Sequence, residues 1–149
     1  MQLGLQPLGL VMSRREAALL HRAALFLHLR KYHYTSCMLD ETQFRRESDR
    51  ALEALKQALI AAEDDSGGFE FEDNNGVMNI LFEDGSSKFV VTPNTPVRQI
   101  WISAQATSFK LEWSDGRKEF VLPKTAEALI PLTERLLQEH LKDPGIRLS

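Results

Sequence analysis

One cysteine, Cys37, stands among 149 residues. A lone thiol cannot close an intramolecular disulfide, and such scarcity suits a reducing compartment such as the cytoplasm. Histidine is nearly as rare: His21, His28 and His33 lie near the start, and His140 is the only one after them. With no CxxC pair and no HxxxH grid, a preformed zinc site is not expected. Ser103, Ser108 and Ser114 have no partner histidine in prospect, so a serine or cysteine nucleophile is not expected either. The 8 glycines fall singly or in pairs at turns, which excludes a glycine-rich phosphate loop. No uninterrupted apolar run approaches the roughly 20 residues of a membrane span.

What is present is ordinary for one domain: 43% hydrophobic and 26% charged residues. The net charge of −3 conceals an asymmetry. Residues 1–37 hold Arg14, Arg15, Arg22, Arg30 and Lys31 against Glu16 alone, a balance of +4, so residues 38–149 carry −7. An acidic body argues against nucleic acid as the main ligand. It favours metal cations or a basic protein surface.

Residues 1–37 differ from the rest. Ser13 and Glu16 can form a capping box opening a helix, and 17–29 is apolar almost all round. Three readings fit: a translated extension upstream of Met38, an organelle transit peptide leading to a mitochondrial matrix location, or an added helix that lies on a surface. The domain proper is expected over 38–143, followed by a tail, 144–149.

From Met38 the patterning is regular. Phe44, Ala51, Leu52, Leu55, Ala58, Leu59 and Ala62 recur at helical spacing, with Asp40 or Thr42 as cap and Gly67-Gly68 as stop. Strands are expected over 69–72, 77–83, 88–92, 98–105, 109–113 and 118–122, separated by Asn-Gly, Asp-Gly and proline punctuation. Pro93 is expected to stop the third. A closing helix carries Leu132, Leu136, Leu137 and Leu141. Pro131 either kinks it or sits in its first turn, and the second placement is favoured. The order predicts an α+β fold: a two-layer sandwich, with two helices on one face of a five- or six-stranded antiparallel sheet.

The stretch 95–104 reads as a strand, with Ile100, Ile102 and Ala104 on one face and Gln99, Trp101 and Ser103 on the other. Trp101 is then either covered on a two-sided sheet or held toward solvent as a docking anchor. Two helices can blanket only one face, which favours the second.

Residues 95–103, Thr-Pro-Val-Arg-Gln-Ile-Trp-Ile-Ser, resemble the signature strand of the frataxin family. Gly76-Val77 followed by Phe82-Glu83-Asp84-Gly85-Ser86 resembles that family's hairpin, and Phe44, Asp49, Leu52 and Leu55 match positions of its first helix. The likeness runs from about Met38 to Leu141. It implies a role in iron–sulfur cluster assembly. It also implies weak iron binding on an acidic ridge, and docking on the cysteine desulfurase and its scaffold through that ridge and the tryptophan face. A ferroxidase activity is attributed to some members.

For such a ridge this chain offers Asp40 and Glu41 at the helix start, Asp49 and Glu53 along it, and Glu63, Asp64 and Asp65 at its end. Glu70, Glu72 and Asp73 follow on the first strand. Carboxylates suit iron where no thiolate or imidazole cluster competes. Acids on an outer helix face are also commonly just solvated. The chain departs from the family pattern at Lys56, Gln57, Ile60 and Ala61, where bacterial members often carry acids. Any iron site is therefore expected toward both ends of the helix and the first strand, weak and watery. The partner face is expected to comprise Gln99, Trp101 and Ser103, with Arg98 and Lys110 beside them. A ferroxidase and a metal-free docking module of the same fold remain alternatives. A monomer is expected, with iron-dependent association left open, and neither nucleic acid nor membrane is expected as a partner of the domain.

Overall fold

In the computed structural model, residues 38–149 are described. The helix expected after Ser13 and all three readings of residues 1–37 lie outside them. Helix α1, Glu41–Ser66, starts on a capping box: the Gln43 N–H donates to the Asp40 carboxylate at 2.8 Å, and the Gln43 side chain accepts from the Asp40 N–H at 3.2 Å. It buries Phe44, Ser48, Leu52, Leu55, Leu59 and Ala62, one stripe at three- and four-residue spacing. It ends at Gly67, whose φ of 66° suits a residue without a Cβ.

Six strands follow as an antiparallel meander in the order β1-β2-β3-β4-β5-β6. They are β1 Phe69–Asn74, β2 Val77–Phe82, β3 Phe89–Asn94, β4 Gln99–Ala104, β5 Thr107–Ser114 and β6 Glu119–Val121. The β1–β2 turn is Asn75-Gly76, both at positive φ, as a tight primed hairpin requires. Helix α2, Leu129–Leu141, closes the chain. Pro131 is its third residue, inside the first turn, where a missing N–H costs no intrahelical bond.

Every strand turns the same parity toward the helices. Phe69, Met78, Ile80, Phe89, Val91, Ile100, Ile102, Leu111, Trp113 and Phe120 are buried there, against Leu55 and Leu59 of α1 and Leu132 and Leu137 of α2. The reverse face shows Glu70, Glu72, Ser103, Ser108, Lys110 and Glu112 exposed. Among the described residues nothing roofs it. The two-layer sandwich with six strands is the expected architecture.

Three details differ from the sequence reading. Pro93 lies inside β3 rather than ending it, because β2 pairs with β3 only as far as Val91, and a proline is tolerated where no ladder bond is needed on that side. Thr95–Val97 is a short 3-10 turn, not strand: Pro96 fixes a turn backbone, and Arg98 at φ 56° resets the chain before β4 begins at Gln99. Residues 144–149, read as a tail, pack onto the core: Ile146 is 1% and Leu148 2% exposed. Gln138 donates to the Ile146 carbonyl, and the Leu148 N–H donates to Glu134, both at 2.8 Å.

Two aliphatic side chains buried this fully contribute roughly 1.5–3 kcal/mol each. Deleting residues 144–149 is therefore expected to lower unfolding stability by about 3 kcal/mol or more in chemical denaturation, with the fold retained; an unchanged midpoint would contradict the packing.

Candidate functional site

Two surfaces meet the sequence expectations, the outer side of α1 with β1 and the open face of the sheet. On the first, the ten candidate acids do not act alike. Asp40 is committed to the capping box. Glu41 is gripped by Arg45 at 2.8 Å and lies 3.9 Å from Arg98, and the Arg45 hydrogen bond, with its charge, holds the Glu41 carboxyl below the usual range. Glu53 accepts from Gln57 at 2.9 Å. Glu63 accepts from the Phe71 N–H at 3.3 Å and so ties the end of α1 to β1.

Asp49, Asp64, Asp65, Glu70 and Glu72 are exposed and form no ion pair among the described residues.

Helix and strand acids meet in a shallow groove lined by Asp49, Glu53, Asp73 and Lys56, with Leu52, Gly76 and Met78. Lys56 stands in it as a tethered cation, 3.0 Å from Asp73. The Lys56 hydrogen bond, then the Gly76 N–H, holds the Asp73 carboxyl low, and Asp73 in turn raises Lys56. Among the described residues no three Asp, Glu, His or Cys side chains gather closely enough to hold a metal ion. The departure at Lys56 from the family's acidic pattern pointed to weaker cation binding along the middle of the helix, but Asp73 as its partner, 17 residues on, had no local signal.

The second surface centres on Trp101, which is half-buried on the reverse face between Thr92 of β3 and Lys110 of β5. Its indole N–H donates to Gln99 at 2.9 Å, and Gln99 donates at 2.9 Å to Glu112, a residue that sequence reasoning missed. Lys110 places its ammonium 4.8 Å from the ring centroid. The ring is thus held at a fixed angle with part of its surface free. Ser103 is exposed two residues further along the same face. Arg98 is not part of this face: its guanidinium donates to the Thr95 carbonyl and leans toward Glu41 at the start of α1.

One further polar contact escaped the sequence reading. Ser86 lies 2.8 Å from His140 Nε2, whose ring packs on Phe82 at 3.9 Å between centroids. It pins the β2–β3 connection, residues 83–88, to the end of α2. No helix among the described residues is long and apolar enough to cross a membrane.

Replacing Lys56 with alanine removes one positive charge from the groove, and with it the repulsion that a cation meets there. Lys56→Ala is expected to tighten divalent-cation binding there by about fivefold, read by calorimetry. It also frees the Asp73 carboxyl to titrate upward. A lowered carboxyl stabilises above its unfolded pKa and loses that contribution as pH falls through the folded value. The wild-type protein should therefore lose more stability than Lys56→Ala below about pH 4. Equal cation affinity in both proteins would contradict this reading.

Comparison with known proteins agrees with the geometry. A frataxin-like domain profile matches residues 37–143. The iron–sulfur cluster assembly protein CyaY of Vibrio cholerae (strain O395) is 27% identical over 106 residues, covering 71% of this chain and 96% of that protein. CyaY of Burkholderia mallei (strain SAVP1) is 30% identical over 78 residues, covering 52% and 71% respectively. A solved frataxin from Psychromonas ingrahamii superposes with a TM-score of 0.59 at 13% identity, covering 74% of this chain and 99% of that one, and so speaks for the fold alone. With its paved sheet, its open tryptophan face and the profile match across most of its length, this chain belongs to the frataxin family.

Proposed function

We propose that this protein serves iron–sulfur cluster assembly as a docking regulator. It engages the cysteine desulfurase and its scaffold through the open sheet face and the acidic side of α1, and carries iron weakly as cargo. The observation that supports this most is the oriented, half-exposed Trp101 on an unroofed face within the same small domain as a row of unpaired carboxylates. Aromatic anchors held by neighbours lose little entropy on binding. Carboxylates without counter-ions steer a basic partner toward contact. The names of the Vibrio and Burkholderia relatives support the assignment to cluster assembly.

The metal part is graded along the ridge. Among the described residues Asp64, Asp65, Glu70 and Glu72 form no ion pair and can meet a ferrous ion, as can Asp49, whereas Asp40, Glu41 and Asp73 are already engaged. Iron held this way keeps most of its water and binds in the range where neighbouring charge, not a cage, sets affinity. The donor arrangement lends a ferroxidase no support, since two close metal positions would need several converging carboxylates. Arg98, committed to the first turn of α1, is left out of the docking face.

Cysteine desulfurase turnover measured with and without this protein, each with and without ferrous iron, tests the reading. A change in turnover that depends on the protein and is tuned by iron is expected; no effect in either condition would refute it. Trp101→Ala should weaken binding to the desulfurase–scaffold complex by tenfold or more, equivalent to about 1.4 kcal/mol, while thermal stability shifts little because the ring is only half-buried. Asp49→Lys with Glu53→Lys should weaken binding at low salt and much less at high salt. Unchanged affinity in all of these would remove both surfaces from the interface.

A further inference from the structure

The sheet has one edge that its own last strand leaves half-covered. Strand β5 is eight residues long, but β6 pairs only with Glu112, Trp113 and Ser114. After Val121 the chain swings away: the Ala126 N–H returns to the Leu122 carbonyl at 2.8 Å, with Ala126 at φ 59°. The outer edge of β5 from Thr107 to Leu111 therefore has no strand beside it among the described residues. Backbone N–H and C=O groups along a bare edge form a ready template for one more strand.

That edge is shaped as well as bare. A trough of about 410 Å³ runs along it, walled by Phe109 and Lys110 on one side and Leu122, Pro123 and Lys124 on the other, and reaching Gln99 and Glu112 on the open face. It occupies the line that β6 would have followed had it continued. Side chains of an added strand would alternate between faces. Those on the helix side meet Phe109 and Leu122, which are half-buried and apolar. Those on the open side meet exposed Lys124 at the rim and Lys110, whose ammonium also covers the Trp101 ring, while Glu112 on that side is already taken by Gln99. The complementary occupant alternates apolar and acidic residues.

We propose that the free half of β5 is a strand-addition site, taking an extended peptide segment of a partner protein, about five residues long with alternating aliphatic and acidic side chains. The segment lies antiparallel to β5, taking up the register where Val121 stops opposite Glu112. This mode relies on main-chain pairing at the sheet edge, apart from any docking on the sheet face. Its failure would leave the cluster-assembly reading untouched, because the test below uses no assembly component.

The test titrates the full chain with a capped seven-residue peptide alternating valine and glutamate, and separately with its valine–lysine counterpart, while amide shifts and hydrogen exchange are followed by NMR. The expected result is slowed exchange and shifts confined to residues 107–111 and their neighbours at 122–124, with the glutamate peptide bound about tenfold more tightly. The double variant Lys110→Glu with Lys124→Glu should reverse that preference while keeping the native spectrum outside the edge and the Trp101 ring that Lys110 covers. Equal binding of the two peptides, or shifts restricted to β3 and β4, would overturn the proposal. Concentration-dependent protection of residues 107–111 without any peptide would overturn it too, assigning the edge to a second copy of this chain.

Discussion

Period-two alternation, held in one phase across six strands, governs this molecule. Each strand commits one parity to the helices, so that Ile80, Val91, Ile102 and Leu111 fall on a single apolar floor under α1 and α2. A one-residue slip in any strand would move its apolar set to the wrong face, which fixes the register throughout. The same constraint creates the open face, because whatever is not spent on the floor must stand on the other side. Trp101 is there because Ile100 and Ile102 are not.

Charge is distributed by a similar division. Acids near the start of α1 are absorbed close by: Asp40 by the cap, Glu41 by Arg45 and, from the turn before β4, Arg98, and Glu47 by Arg46 and Arg50. Of the acids at its far end and on β1, Asp64, Asp65, Glu70 and Glu72 form no ion pair among the described residues, while Glu63 accepts from the Phe71 N–H. Between the two zones Lys56 bridges to Asp73 and divides the ridge. The chain thus keeps an acidic flank, while its middle supplies its own cation. Such a ridge suits reversible docking and loose cation binding better than tight storage.

The alternation of 77–82 and 99–104, the stripe from Phe44 to Ala62, and the Asn-Gly and Asp-Gly turns made the sandwich legible from sequence, since each is a local pattern with a mechanical cause. The parity argument also placed Gln99, Trp101 and Ser103 on one face correctly. What was not legible is long-range. Nothing local marks Glu112 as the residue that fixes Gln99, or Asp73 as the partner of Lys56, because both contacts cross strands or elements. Arg98 was misplaced for a local reason: Pro96 imposes a turn, the left-handed Arg98 breaks the alternation, and its side chain no longer follows the parity of β4. Pro93 misled through a rule that holds for paired strands and lapses where the neighbouring strand has ended.

The central claim is that the open face and the acidic side of α1 together form the surface that meets the cluster-assembly machinery. Hydrogen exchange of this protein, free and bound to the desulfurase–scaffold complex, addresses it most directly. Protection is expected along β3 and β4 around Trp101 and at the end of α1 running into β1, with α2 exchanging as in the free protein. Protection confined to α2 and the packed residues 144–149, with the tryptophan face unchanged, would contradict it.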